Sequence, residues 1–117
     1  MVEEINTHQS EEDVRNEAVL IYVNGKLLRR DKAVVSVYDS GFMLGDGIWE
    51  GLRLHQGKWS FLDQHIERLF DASLAIDLAI GMSKETLIQA LEETRVANDM
   101  FTDVHARLMV TRGVKSK

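Results

Sequence analysis

Two arginines gain chemical interest from strand alternation. Residues 48–55 read as a strand, in which successive side chains point to opposite faces. The even positions Ile48, Glu50, Leu52 and Leu54 form a mostly apolar face, and Trp49, Gly51, Arg53 and His55 oppose them. Residues 104–111 repeat the pattern. Val104, Ala106, Leu108 and Val110 face a core, and His105, Arg107, Met109 and Thr111 face away. Arg53 and Arg107 thus project from non-core faces, with Gly51 leaving a gap beside Arg53. If the two strands are neighbours, the pair forms a carboxylate receptor, because a guanidinium fork matches a carboxylate bidentately. If not, they are two solvated arginines, and alternation alone leaves both readings open.

Other candidates carry less. Histidines stand at 8, 55, 65 and 105, with no His-x-x-x-His pair or other zinc spacing, so no metal site is expected. Gly45-Asp46-Gly47 is only a fragment of a phosphate loop and equally suits a tight turn. Arg68 lies off the apolar stripe of its helix, either as a surface arginine or as an anion ligand. No Ser/His/Asp set and no carboxylate pair announces a nucleophile or an acid–base couple.

The elements that must hold these residues follow from pattern. The apolar run 19–23 meets Asn24-Gly25, a strong hairpin signal, and returns through 26–28. Residues 33–38 read as another strand and the glycine-rich 39–47 as an irregular loop. Gln56-Gly57 turns the chain back through 58–61. A helix is expected with Asp63 as its N-cap, carrying Ile66, Leu69, Phe70, Ser73 and Ile76 inward and ending at Gly81. Ser83 caps a second helix bearing Leu87, Leu91 and Thr94. Strands, two helices and a final strand predict an α+β fold, an antiparallel sheet with two helices packed on one face.

At 117 residues the chain is expected to form one domain, preceded by an acidic tail over 1–18 that holds the whole net charge of −5. The neutral body of 19–117 lacks a basic nucleic-acid footprint. No apolar run is long enough for a membrane span, and the N-terminus does not read as a signal peptide. There is no cysteine, which suits a reducing, cytoplasmic setting.

Three segments together carry a resemblance. They are Val23-Asn24-Gly25-Lys26, Ser36-Val37-Tyr38-Asp39-Ser40-Gly41-Phe42, and Leu44-Gly45-Asp46-Gly47-Ile48-Trp49-Glu50-Gly51-Leu52-Arg53. With His65-Ile66-Glu67-Arg68-Leu69 and Arg107-Leu108-Met109-Val110-Thr111-Arg112-Gly113, the ordered set resembles the class IV (fold-type IV) aminotransferases. These pyridoxal-phosphate enzymes include branched-chain and D-amino-acid aminotransferases and aminodeoxychorismate lyase. The match runs from about Leu20 to Gly113 and implies their small, N-terminal domain.

The resemblance also implies roles. Arg68 would hold the phosphate of pyridoxal 5'-phosphate. Trp49 and Leu44 would wall the substrate pocket, and Arg53 and Arg107 would receive a substrate carboxylate. The Leu52-Arg53-Leu54 stretch slightly favours branched-chain substrates. The family's Schiff-base lysine and the glutamate that tunes the pyridine nitrogen belong to a C-terminal domain. None of the lysines at 26, 32, 58, 84, 115 and 117 sits in a family cofactor motif, so no catalytic residue is assigned and the chain alone is expected to be inactive. The implied partners are an amino acid, a 2-oxo acid, the C-terminal domain and a second copy in a dimer, which would cover Trp49 and Leu44. A lyase releasing pyruvate from aminodeoxychorismate is the enzymatic rival. A non-catalytic binding module is the rival from another class.

Overall fold

The computed structural model describes residues 13–114, so most of the acidic stretch lies outside the described residues. A 3-10 turn, Val14–Asn16, opens the described part. Arg15 donates to the carbonyls of Thr102 and Asp103 at 2.8 and 2.9 Å, tying this turn to the residues before the last strand.

Strands β1 (Leu20–Val23) and β2 (Lys26–Arg29) form a two-stranded antiparallel hairpin. Its turn residues Asn24 and Gly25 both have positive φ, 50° and 88°, as a tight two-residue loop requires. Residues 33–38 are not a strand. Ser36 Oγ accepts from the Tyr38 N–H and the Ser36 carbonyl from the Asp39 N–H, so these backbone groups close a turn instead of joining a ladder. The expected loop after it contains a helix, α1 (Ser40–Leu44). The Asp39 carboxylate caps it by accepting from the Gly41 N–H, and Gly45 in the left-handed region ends it.

β3 (Gly47–His55) is the centre of a second sheet of order β4-β3-β5, with β4 (Lys58–Trp59) and β5 (Val104–Thr111) both antiparallel to it. α2 (Leu62–Ala75) packs on β3, and α3 (Lys84–Ala97) packs against α2 and beside β1. Ile66, Leu69 and Leu87 form the helix-side core, joined by Leu108 and Val110 from β5, while Leu52 and Leu54 are fully buried on β3. Asn98, at the end of α3, both donates to and accepts from the Leu20 backbone, which fastens the first hairpin to the helices. The fold is α+β, as expected, with its antiparallel strands divided between two sheets.

Two helix limits differ from the sequence reading. Phe61, at φ 54°, is the N-cap of α2, and no side chain caps it. Asp63 falls inside the first turn, where its charge meets the positive end of the helix dipole. α2 ends at Ala75, well before Gly81, and Asp77 takes a positive φ of 53°. Ser83 caps α3 as expected, accepting from the Thr86 N–H. Among the described residues no helix is long and apolar enough to cross a membrane.

Candidate functional site

β3 and β5 are direct neighbours, which decides the question that alternation left open. Their register pairs Trp49 with Met109, Gly51 with Arg107 and Arg53 with His105. Arg53 and Arg107 are therefore diagonal neighbours on one face, within reach of a single small ligand for side chains this long. Both are exposed, and among the described residues neither is paired with an acid. Arg107 lies over the Trp49 ring, 4.6 Å from its centroid, a cation–π contact that limits its swing. Trp49 itself is 56% exposed.

The gap expected at Gly51 is partly filled. A Cβ built there meets His105 Nε2 at 3.0 Å, so the imidazole lies over the glycine between the two arginines. His105 thus belongs to this face. Alternation had placed it there, but only the pairing with Arg53 brings it over Gly51. The face therefore presents two cations, an imidazole and the apolar pair Trp49–Met109.

Arg68 is on the other side of the sheet, where α2 covers the even face of β3. Its target is Glu50, a carboxylate only 5% exposed among leucines. Arg68 Nε donates to both oxygens of Glu50, at 3.1 and 2.9 Å, and Nη2 donates to Oε1 at 2.6 Å. His65, one turn earlier, places Nδ1 2.6 Å from the same Oε1. An ionised carboxylate only accepts, so Nδ1 is the protonated nitrogen. The Arg68 guanidinium holds the Glu50 carboxyl below its usual range against the opposing effect of burial, with His65 helping; Glu50 in turn raises Arg68. Sequence reasoning missed this cluster. Its signal was present, since a charged residue on an otherwise apolar strand face demands a partner.

Leu44 stands on α1, outside the β3–β5 sheet, and is 60% exposed. α1 is pressed against the end of β5, with no room for a Cβ between Gly41 and the Thr111 methyl, while Thr111 Oγ1 donates to Asp39 at 3.1 Å. Beyond it, Arg112 Nε donates to Asp46 at 2.7 Å, and its other nitrogens donate to the Ile76 and Asp77 carbonyls. This clasp joins the turn before β3 to the end of α2. The structure therefore groups Arg53, Arg107 and Trp49, sets Arg68 on the opposite face, and carries Leu44 on a separate helix.

Residues 47–117, more than half of the chain, match the model of the amino-transferase class IV family. The chain belongs to that family. This class IV chain is 40% identical over 100 residues to branched-chain-amino-acid aminotransferase-like protein 1 of Arabidopsis thaliana, covering 86% of this chain and 18% of that protein. It is 42% identical over 96 residues to D-alanine aminotransferase of Listeria innocua, covering 82% and 33%. The solved structure of a T.th. branched-chain amino acid aminotransferase complexed with N-(5'-phosphopyridoxyl)-L-glutamate has the same fold. It superposes with a TM-score of 0.77 at 23% identity, covering 86% of this chain and 35% of that one. The chain thus spans about a third or less of the length of these proteins. Class IV aminotransferases use pyridoxal 5'-phosphate.

Proposed function

We propose that this chain is the N-terminal part of an aminotransferase that moves an amino group between an amino acid and a 2-oxo acid. The observation that carries this reading is the open face of β3–β5, where Arg53 and Arg107 are diagonal neighbours without acidic partners among the described residues. A substrate carboxylate entering between their forks gains charge-assisted hydrogen bonds from both sides. Trp49 and Met109, opposite each other in register, offer an apolar wall to the rest of the substrate. That wall suits a branched aliphatic side chain. Leu52 and Leu54, which had favoured the same substrates by resemblance, are fully buried and take no part.

The residues present fit the phosphate of pyridoxal 5'-phosphate in one respect. Arg68 is a cation with its side chain 70% exposed, held by a buried carboxylate and bordering an open depression with Phe61, Gln64 and His65. In this reading Arg68 holds the phosphate and Leu44 contributes to the pocket wall. When bound, the cofactor supplies the electron sink for moving the amino group. The cofactor-bonding lysine comes from the C-terminal domain of the enzyme, so the residues of this chain bind and orient and do not shuttle the proton.

Phe42, Met43 and Leu44 of α1 and Trp49 and Met109 of the β3–β5 sheet are each 49% or more exposed, which leaves apolar surface open to water. The C-terminal domain and a second copy in a dimer are the partners that would cover it. The absence of cysteine fits a cytoplasmic setting.

The test uses the protein together with its C-terminal domain. Arg53→Ala and Arg107→Ala should each weaken 2-oxo acid affinity by about tenfold or more, the loss of a charged hydrogen-bond pair. Unchanged affinity in both refutes the assignment. Pyruvate release without dependence on an added 2-oxo acid would point to a lyase instead.

A further inference from the structure

Glu50 is the one buried carboxylate among the described residues, and the carboxylate receptor on the open face does not use it. It occupies the Nε and Nη2 side of Arg68 with three hydrogen bonds. A guanidinium has five N–H donors in a fixed plane. With the Nε–Nη2 edge engaged, the two N–H groups of Nη1 and the outer one of Nη2 remain as a second fork. No described residue takes up Nη1. Glu50 cannot swing away, because it stands on the central strand of its sheet at 5% exposure and His65 holds the same oxygen from the side.

We infer that Glu50 is a positioning residue: its buried carboxylate clamps one edge of Arg68 so that the other edge is presented, already oriented, to a phosphate. This rests on the reading that Arg68 is the phosphate ligand and adds what makes it a good one. A long, exposed arginine otherwise loses side-chain entropy on capturing an anion. A clamped one has already lost it in the folded chain, which leaves more of the interaction as affinity. The alternative role for Glu50 is simple neutralisation of Arg68. The two roles predict opposite signs, since removing a neutralising charge strengthens anion binding and removing a clamp weakens it.

The experiment titrates the protein together with its C-terminal domain, stripped of cofactor, with pyridoxal 5'-phosphate and with pyridoxal, and takes the ratio of affinities as the phosphate preference. Glu50→Gln keeps the side-chain shape and removes the charge. The preference should fall about tenfold, the lower end of the effect of losing a supporting shell. A preference that is unchanged or increased overturns the inference. Arg68→Ala in the same protein tests the underlying reading: if it retains the full preference, or if the unaltered protein has none, Arg68 is not the phosphate ligand and the inference falls with it. If Arg68→Ala loses the preference while Glu50→Gln keeps it, only the positioning role is refuted. A second readout needs no variant. The Arg68 Nε–H should give a resolved, slowly exchanging NMR signal in the same protein without ligand. Rapid exchange there overturns the inference as well.

Discussion

Gly47 and Gly51 lie on the same face of β3, and replacing each with alanine should have different consequences. Neither has a positive φ, so an alanine suffers no backbone strain at either position. What differs is the obstacle. At Gly47 the added Cβ meets the Val110 carbonyl oxygen at 2.8 Å and Thr111 Cα at 3.3 Å. Both are backbone atoms of the paired strand, and they can yield only if the Gly47–Thr111 end of the ladder opens. Forcing a methyl into such a contact costs about 1–3 kcal/mol. At Gly51 the Cβ meets His105 Nε2 at 3.0 Å and Cε1 at 3.2 Å, and Trp49 Cζ3 at an ordinary 3.7 Å. His105 is exposed and can turn about its side-chain bonds. The smaller entropy of the unfolded alanine chain contributes about 0.4–1 kcal/mol in favour of folding. Gly51→Ala should therefore lie within about 1 kcal/mol of the unaltered protein. Its effect belongs to the proposed carboxylate site instead. The added methyl and the imidazole it displaces crowd the space between Arg53 and Arg107, and 2-oxo acid affinity should fall about tenfold, the loss of one charged hydrogen bond. Urea unfolding gives the stability change and a 2-oxo acid titration of the enzyme gives the affinity. The reasoning is refuted if Gly51→Ala loses as much stability as Gly47→Ala, or if it binds the 2-oxo acid normally.

Leu69→Ala empties a fully buried position where α2 meets α3, and should cost about 2–5 kcal/mol in urea unfolding. A loss below about 1 kcal/mol would mean that this contact is not the core. Ser83→Ala removes the bond to the Thr86 N–H and should cost about 1 kcal/mol, read in the same assay, whereas Ser83→Gly should cost only a few tenths. The Glu50 carboxyl titrates below its ordinary 4.5 in the folded chain, chiefly through Arg68. Its stabilising effect is therefore complete above that value and is lost as pH falls through the lowered folded value. Glu50→Gln should flatten the acid limb of the stability profile, and an identical acid limb would show that Glu50 is not linked to folding.

Local pattern settled a good deal. The alternation in β3 and β5 assigned Trp49, Arg53, Arg107 and His105 to one face before any partner strand was known, and Ser83 marked the start of α3. Alternation is a property of the extended backbone and needs no neighbour to be read. It failed where the outcome depended on a partner. Residues 33–38 carry β-forming side chains, yet their backbone closes a turn; a strand needs a second strand, and propensity does not provide one. Asp63 resembled a cap, but the left-handed Phe61 before it sets the start of α2.

By itself, then, the amino-acid sequence determined which side chains share a face and which ordered motifs mark the class IV family. The tertiary structure alone decided that β5 lies beside β3, that Gly51 stands opposite Arg107, and that Glu50, Arg68 and His65 meet. The physical reason is range. Facing and capping arise within a few residues. The site joins residues 18 positions apart at Glu50–Arg68 and more than 50 apart across β3–β5, and those meetings exist only once the core has offset the entropy lost in bringing the strands and helix together.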